Sequence, residues 1–169
     1  MKRKQLTLFL EESESTVIES IRKRFNPRQY ELIKSHITLC REDEIEDLER
    51  IQGNLERLEM DAFELSINEV KRFSKGKGVF IAIADREKQF RKLRKIILQD
   101  GHSLPRAHEA HITLMHPRNS TCTDDLFREI QKYELPKKLT IRKISLIEQE
   151  MGKKWHTLME YELKKSCKC

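Results

Sequence analysis

The sequence predicts an α+β fold made of two similar halves, with mostly antiparallel strand pairing. Three observations carry that expectation. Apolar spacing alternates between the two-residue period of strands and the 3.6-residue period of helices, in the order strand–helix–strand–helix–strand, then strand–helix–strand–helix–strand–strand. A four-residue string occurs twice, as His36-Ile37-Thr38-Leu39 and as His111-Ile112-Thr113-Leu114, once in each half. No linker or low-complexity segment separates the halves, and 169 residues suit one compact domain over 1–169 rather than two large ones.

Leu6 to Leu10 reads as an opening strand. Val17, Ile18, Ile21 and Phe25 recur at helical spacing, and Asn26-Pro27 stops that helix. A short strand is expected at 36–40. A second helix spans Glu42 to Leu58, with Ile45, Leu48, Ile51, Leu55 and Leu58 as its apolar stripe, weakened at Gly53. Residues 62–70 look extended, 71–78 form a basic connection containing glycine, and Val79 to Ala84 is the most apolar run, a central strand. Asp85 can cap a third helix that turns Phe90, Leu93, Ile96 and Ile97 inward and leaves Lys88, Arg91, Lys92, Arg94 and Lys95 outside, stopping near Gly101. Residues 110–116 form another strand, and Asp124 and Asp125 open a fourth helix that runs to Tyr133. In the next strand Leu139 and Ile141 share one parity and Ile144 and Leu146 the other, which predicts a bulge near Arg142-Lys143. The last strand runs from about Lys154 to Leu163.

With 34 Lys+Arg against 28 Asp+Glu the formal net charge is +6, and the mean hydropathy is −0.71. That is polar for a globular chain, but the periodic apolar residues argue against disorder. Residues 1–70 hold 11 basic and 16 acidic side chains (net −5), and residues 71–169 hold 23 and 12 (net +11). The asymmetry fits either an anionic partner held mainly by the second half or two solvated surfaces of unlike sign. No apolar run is long enough to span a bilayer. Glu11 and Glu12 cut the first apolar run at five residues, too short for a secretory signal, so the protein is expected to be cytoplasmic and not membrane-bound. Cys40, Cys122, Cys167 and Cys169 form no regular disulfide framework, and Cys167-Lys168-Cys169 is a single pair without a partner pair.

The repeated string carries the chemistry. On a strand, His and Thr of each copy share one face while Ile and Leu share the other and can be buried. Two such strands about an approximate two-fold axis aim two imidazoles and two hydroxyls into one cleft. That set suits phosphodiester hydrolysis: one neutral imidazole takes a proton from the attacking hydroxyl or water, and a protonated one gives a proton to the leaving oxygen. Each threonine hydroxyl can donate to a non-bridging phosphate oxygen, where charge accumulates. No metal or cofactor is needed. The competing reading is an inert groove that happens to be lined by polar side chains.

Two H-x-T-x motifs, one per half of a short α+β chain and 75 residues apart from His36 to His111, resemble the 2H phosphoesterase superfamily, most strongly the bacterial 2′-5′ RNA ligases or cyclic phosphodiesterases. The resemblance implies a bilobal fold in which two antiparallel sheets line a central cleft with helices outside. It implies His36 and His111 as the acid/base pair, and Thr38 and Thr113 as the ligands of the substrate phosphate. The implied reactions are opening of 2′,3′-cyclic phosphates and cleavage or joining of 2′-5′ links, on RNA termini or small nucleotides. A monomer is expected. A relative that binds RNA or nucleotides without chemistry is the alternative of another class, although such a relative is expected to have lost a motif residue and here all four remain.

Other polar residues compete for attention. His102, His108, His111 and His116 cluster in sequence and invite a metal, but in a regular strand His116 faces away from His111 and no carboxylate or cysteine stands at ligand spacing beside them. Cys40 shares the predicted face of His36 and Thr38, as a thiol nucleophile or, more simply, a small buried side chain. Lys75 and Lys77 form a basic turn without P-loop spacing. Arg41 and Arg118 follow the two motifs and can neutralise phosphate charge, and Phe9, Trp155 and Tyr161 are candidates for stacking on a base.

Overall fold

The structure is a computed structural model that describes residues 2–86, 88–101 and 107–165. His102, the Lys75 side chain and Cys167-Lys168-Cys169 lie outside the described residues. The chain runs β1 (Lys2–Phe9), α1 (Glu12–Phe25), α2 (Pro27–Leu32), β2 (His36–Cys40), α3 (Leu48–Glu56), β3 (Phe63–Arg72), β4 (Val79–Ala84), α4 (Gln89–Ile97), β5 (His111–Met115), α5 (Asp124–Ile130), β6 (Lys138–Ile141), β7 (Lys143–Glu150) and β8 (His156–Glu162). Among the described residues no helix is long and apolar enough to cross a membrane.

Among the described residues the eight named strands pair antiparallel, in the order β6-β3-β4-β5-β2-β1-β7-β8. The two expected sheets are the halves β6-β3-β4-β5 and β2-β1-β7-β8, and one register position, Ile37 opposite Ile112, joins them. The sheet is strongly curled, and the connection between β6 and β7 shows why. Five strands separate these two in the sheet, which laid flat would place them roughly 29 Å apart at the usual strand spacing. In sequence only Arg142 lies between them, and its two neighbours can be no more than roughly 7 Å apart. The β6 edge therefore curls back to the other half. There the Leu163 N–H donates to the Arg142 carbonyl at 2.7 Å, and the Ala62 N–H donates to the Lys164 carbonyl at 2.8 Å. The parity change at Arg142-Lys143, expected as a bulge, is this crossover from one half to the other.

Each half repeats strand–helix–strand, as β1–α1–β2 and β4–α4–β5, and the helices cross over. Helix α1 lies against β5, and α4 lies against β2. Leu6 and Leu8, Ile18 and Ile21, Ile37 and Leu39, Ile81, Leu93, and Ile112 and Leu114 are fully buried, so the repeated strands run through the middle of one core.

Three expectations need correction. Pro27 ends α1 but also begins α2, because its fixed φ and missing N–H suit a first helical position. The helix expected over 42–58 is a single 3₁₀ turn at Glu42–Glu44 followed by α3. The Asp47 carboxylate accepts from the Arg50 N–H at 3.1 Å and so starts a new helix. Arg94, expected on the outer face of α4, is 4% exposed. It pairs with Glu44 at 2.6 Å and donates to the Leu39 carbonyl of β2. Asp85 does cap α4, accepting from the N–H groups of Phe90 and Arg91 at 3.1 Å each.

Candidate active site

The two motif strands share one burial pattern. In β2 and in β5 the histidine and threonine are half-buried, while Ile37, Leu39, Ile112 and Leu114 are fully buried. With Ile37 opposite Ile112 in an antiparallel register, Thr38 falls beside His111 and Thr113 beside His36. All four side chains line one cleft of about 600 Å³.

The imidazoles are held alike. His36 Nδ1 lies 2.8 Å from the Lys34 carbonyl, and His111 Nδ1 lies 3.0 Å from the Glu109 carbonyl, in each case two residues back along the chain. A carbonyl oxygen only accepts, so Nδ1 carries the proton in both rings. Nε2 is left to accept when the ring is neutral and to donate when it is charged. Aromatic edges brace the rings: Phe9 meets His36 at a 6.1 Å centroid distance, and Phe73 and Phe80 meet His111 at 5.7 and 5.4 Å.

Burial pushes the His36 pKa down to about 4, against the raising effect of the Lys34 carbonyl and with the help of charge on Arg22, His111 and His116. Burial also lowers His111, with Arg41 adding to the effect and the Glu109 carbonyl opposing it. Both rings therefore favour their neutral forms at neutral pH. An anion placed between them favours their charged forms.

The surrounding residues only partly match the sequence. Arg41, Arg118 and Trp155 do line the cleft, while Phe9, Lys77 and Tyr161 are not among its lining residues. Cys40, although at the same parity as His36 and Thr38, is fully buried at the strand end beside Arg94, and burial pushes its thiol up to about 12. It is no nucleophile. His116 lines the same cleft as His111, contrary to the expected divergence: β5 ends at Met115, so strand alternation no longer applies one residue later. Among the described residues the lining cations are Arg3, Lys4, Arg41 and Arg118, so three of those four come from the net-acidic first seventy residues.

His108 was noted in the sequence only as part of the histidine cluster. In the structure its Nε2 lies 2.9 Å from the Thr38 carbonyl, tying the segment before β5 to β2. Arg3 and Gln29 of the cleft left no local signal, because each is one polar residue among many on its element. Among the described residues no three side chains form a group able to hold a metal ion.

Comparison with known proteins identifies the family and the fold. Residues 10–153 match the 2′-5′ RNA ligase superfamily. No curated protein matches the sequence. Solved structures share the fold at low identity. E. coli LigT without ligand is 15% identical, with a TM-score of 0.67 over 97% of this chain and 98% of its own. E. coli LigT complexed with 3′-AMP is 15% identical, with a TM-score of 0.66 over 97% and 99%. A crystal structure described as a phosphoesterase is 14% identical, with a TM-score of 0.69 over 98% and 100%. With the match covering most of its length and the paired motifs facing one cleft, this chain belongs to the 2′-5′ RNA ligase superfamily, the 2H phosphoesterases.

Proposed function

We propose that the protein is a cytoplasmic, metal-independent phosphodiesterase that opens 2′,3′-cyclic phosphates or cleaves 2′-5′ links in RNA ends or small nucleotides. The observation that carries this reading is the matched pair of imidazoles, each with Nδ1 tied to a backbone carbonyl and Nε2 left for one shared cleft. Neutral Nε2 of one ring takes a proton from water as its oxygen bonds to phosphorus. The bond from phosphorus to the ribose oxygen breaks, and protonated Nε2 of the other ring delivers a proton to that oxygen. Thr38 and Thr113 donate to the non-bridging oxygens.

The binding of 3′-AMP by E. coli LigT supports a nucleotide ligand here. Joining uses the same groups with a 5′-hydroxyl in place of water: one imidazole takes its proton as the 5′-oxygen bonds to phosphorus, the other protonates the 3′-oxygen as its bond to phosphorus breaks, and the family's description makes this the second reading. Both are tested by incubating the protein, with EDTA present, with 2′,3′-cyclic nucleotides, 2′-5′ dinucleotides, and RNA fragments bearing 2′,3′-cyclic phosphate and 5′-hydroxyl ends. Opened or cut products that vanish in His36→Ala and His111→Ala support hydrolysis. Longer products support joining. Activity surviving in either variant, or appearing only with added metal, overturns the two-histidine reading.

A further inference from the structure

The cleft does not end at the histidine pair. On one side it continues into a second hollow of about 430 Å³, and the two share Arg3, Gln29, Glu42, His116, Arg118 and Trp155 among their walls. Arg28 lines the extension alone, and Glu42 is the only carboxylate among the described residues that line it.

His116 is oriented opposite to the catalytic candidates. The Arg118 backbone N–H donates to His116 Nδ1 at 3.1 Å, so a neutral ring carries its proton on Nε2. Its free nitrogen is therefore a donor even without charge, a ligand for an anion rather than a base. The backbone around it is firmly held. The His116 N–H donates at 2.9 Å to Oδ1 of Asn26, itself buried, and the His116 carbonyl accepts from Ser120 Oγ at 2.7 Å and from the Asn119 N–H at 3.1 Å.

Around this donor the positive charge is not tied up in an ion pair. Arg3 is pinned by neutral groups: its Nε and Nη2 donate to Gln149 Oε1 at 3.0 and 2.6 Å, and its guanidinium lies 4.9 Å over the Trp155 ring. Among the described residues no carboxylate lies within ion-pair distance of Arg3 or Arg118. Burial lowers the pKa of both Arg3 and His116 and the charge on Arg118 lowers each further, while Glu42 acts on Arg3 in the opposite direction. Three donors have been brought together with neither arginine held in an ion pair among the described residues, and with Glu42 the one carboxylate on the wall.

We propose that this extension is a second anion site, binding a further phosphate of the same ligand whose first phosphate lies between His36 and His111, with the Trp155 ring beside it as a platform for the adjoining base. The ligand class is a nucleotide or RNA end with at least two phosphates. The second phosphate is either another on the same nucleoside or the next one along a chain. The proposal rests on the phosphodiesterase reading only for the place of the first phosphate.

Calorimetric titration tests it with ligands the enzyme does not turn over. Adenosine 3′-monophosphate supplies one phosphate, adenosine 3′,5′-bisphosphate supplies two on one nucleoside, and a 3′-phosphorylated diadenosine supplies the second through the chain. The expected result is about tenfold tighter binding for at least one two-phosphate ligand than for the monophosphate. The one with the larger gain identifies the source. Arg118→Gln, an exposed position, and His116→Ala are each expected to bring that ratio close to one. Equal affinities in the wild type, or a ratio unchanged in both variants, overturn the site. A His36→Ala/His111→Ala double variant separates the two claims. If the preference persists there while the wild type hydrolyses nothing, the catalytic reading fails and the anion site stands. If the wild type hydrolyses cyclic phosphates but shows no preference, only the anion site fails.

Discussion

A histidine earns a catalytic pKa through its surroundings, and here burial shifts two rings with the same local sequence. Burial takes His36 down to about 4 and lowers His111 as well, so both rings titrate below the ordinary imidazole value. The pH profile of kcat/KM for a cyclic phosphate is accordingly expected to be bell-shaped, with its maximum on the acid side of the ordinary imidazole value of about 6.5. His36→Ala and His111→Ala should each lower kcat/KM by about 10²–10⁴-fold, measurable by steady-state assay on the folded variants. The same shifts set a stability trend. Rings that are harder to protonate folded than unfolded leave the unfolded chain binding more protons, so stability falls as pH drops below about 6.5 toward 4. Thermal melting across that range should show the decline, and His36→Asn should flatten it. A melting temperature that is constant with pH, or equal declines in both proteins, would rule out His36 as a contributor.

Within the elements, local pattern specified β2 and β5 well. Alternation alone divides His36 and Thr38 from Ile37 and Leu39, and His111 and Thr113 from Ile112 and Leu114, and the burial follows that division. Alternation said nothing about what covers the ends of those strands. The Glu44–Arg94 pair closes the end of β2, and it replaced both an expected helical turn and an expected solvent-facing arginine. Each partner is nearly buried, so removing one strands the other. Arg94→Ala is expected to cost about 3–5 kcal/mol in denaturant unfolding, whereas removing an exposed pair such as Lys138–Glu64 should cost no more than about 1 kcal/mol. Gly78 is needed where β4 meets the cleft rim: a Cβ there would lie 2.5 Å from the Met115 carbonyl oxygen and 2.9 Å from Pro117, just before Arg118.

Across the whole molecule, the halves are interlocked. Helix α1 lies against β5 of the other half, α4 lies against β2, and the β6–β7 crossover at Arg142 ties one edge of the sheet to the far half. A fragment ending at residue 77 keeps β1–α1–β2 but loses the strand that α1 packs on. It is expected to lack cooperative unfolding by circular dichroism, and mixing it with residues 78–169 should restore a folded complex. A stable, independently folded fragment would contradict that interlocking.

The sequence by itself determined which strands carry the paired imidazoles and hydroxyls, the alternation of helix and strand, and the family, because each depends on spacing within a few residues and on one repeated string. Only the tertiary structure decided which way the sheet curls, that Cys40 is buried while His116 lines the cleft, and that among the described residues the cleft's cations come mostly from the acidic half. Those outcomes depend on contacts between residues far apart in the chain, and no local period or motif records a long-range contact.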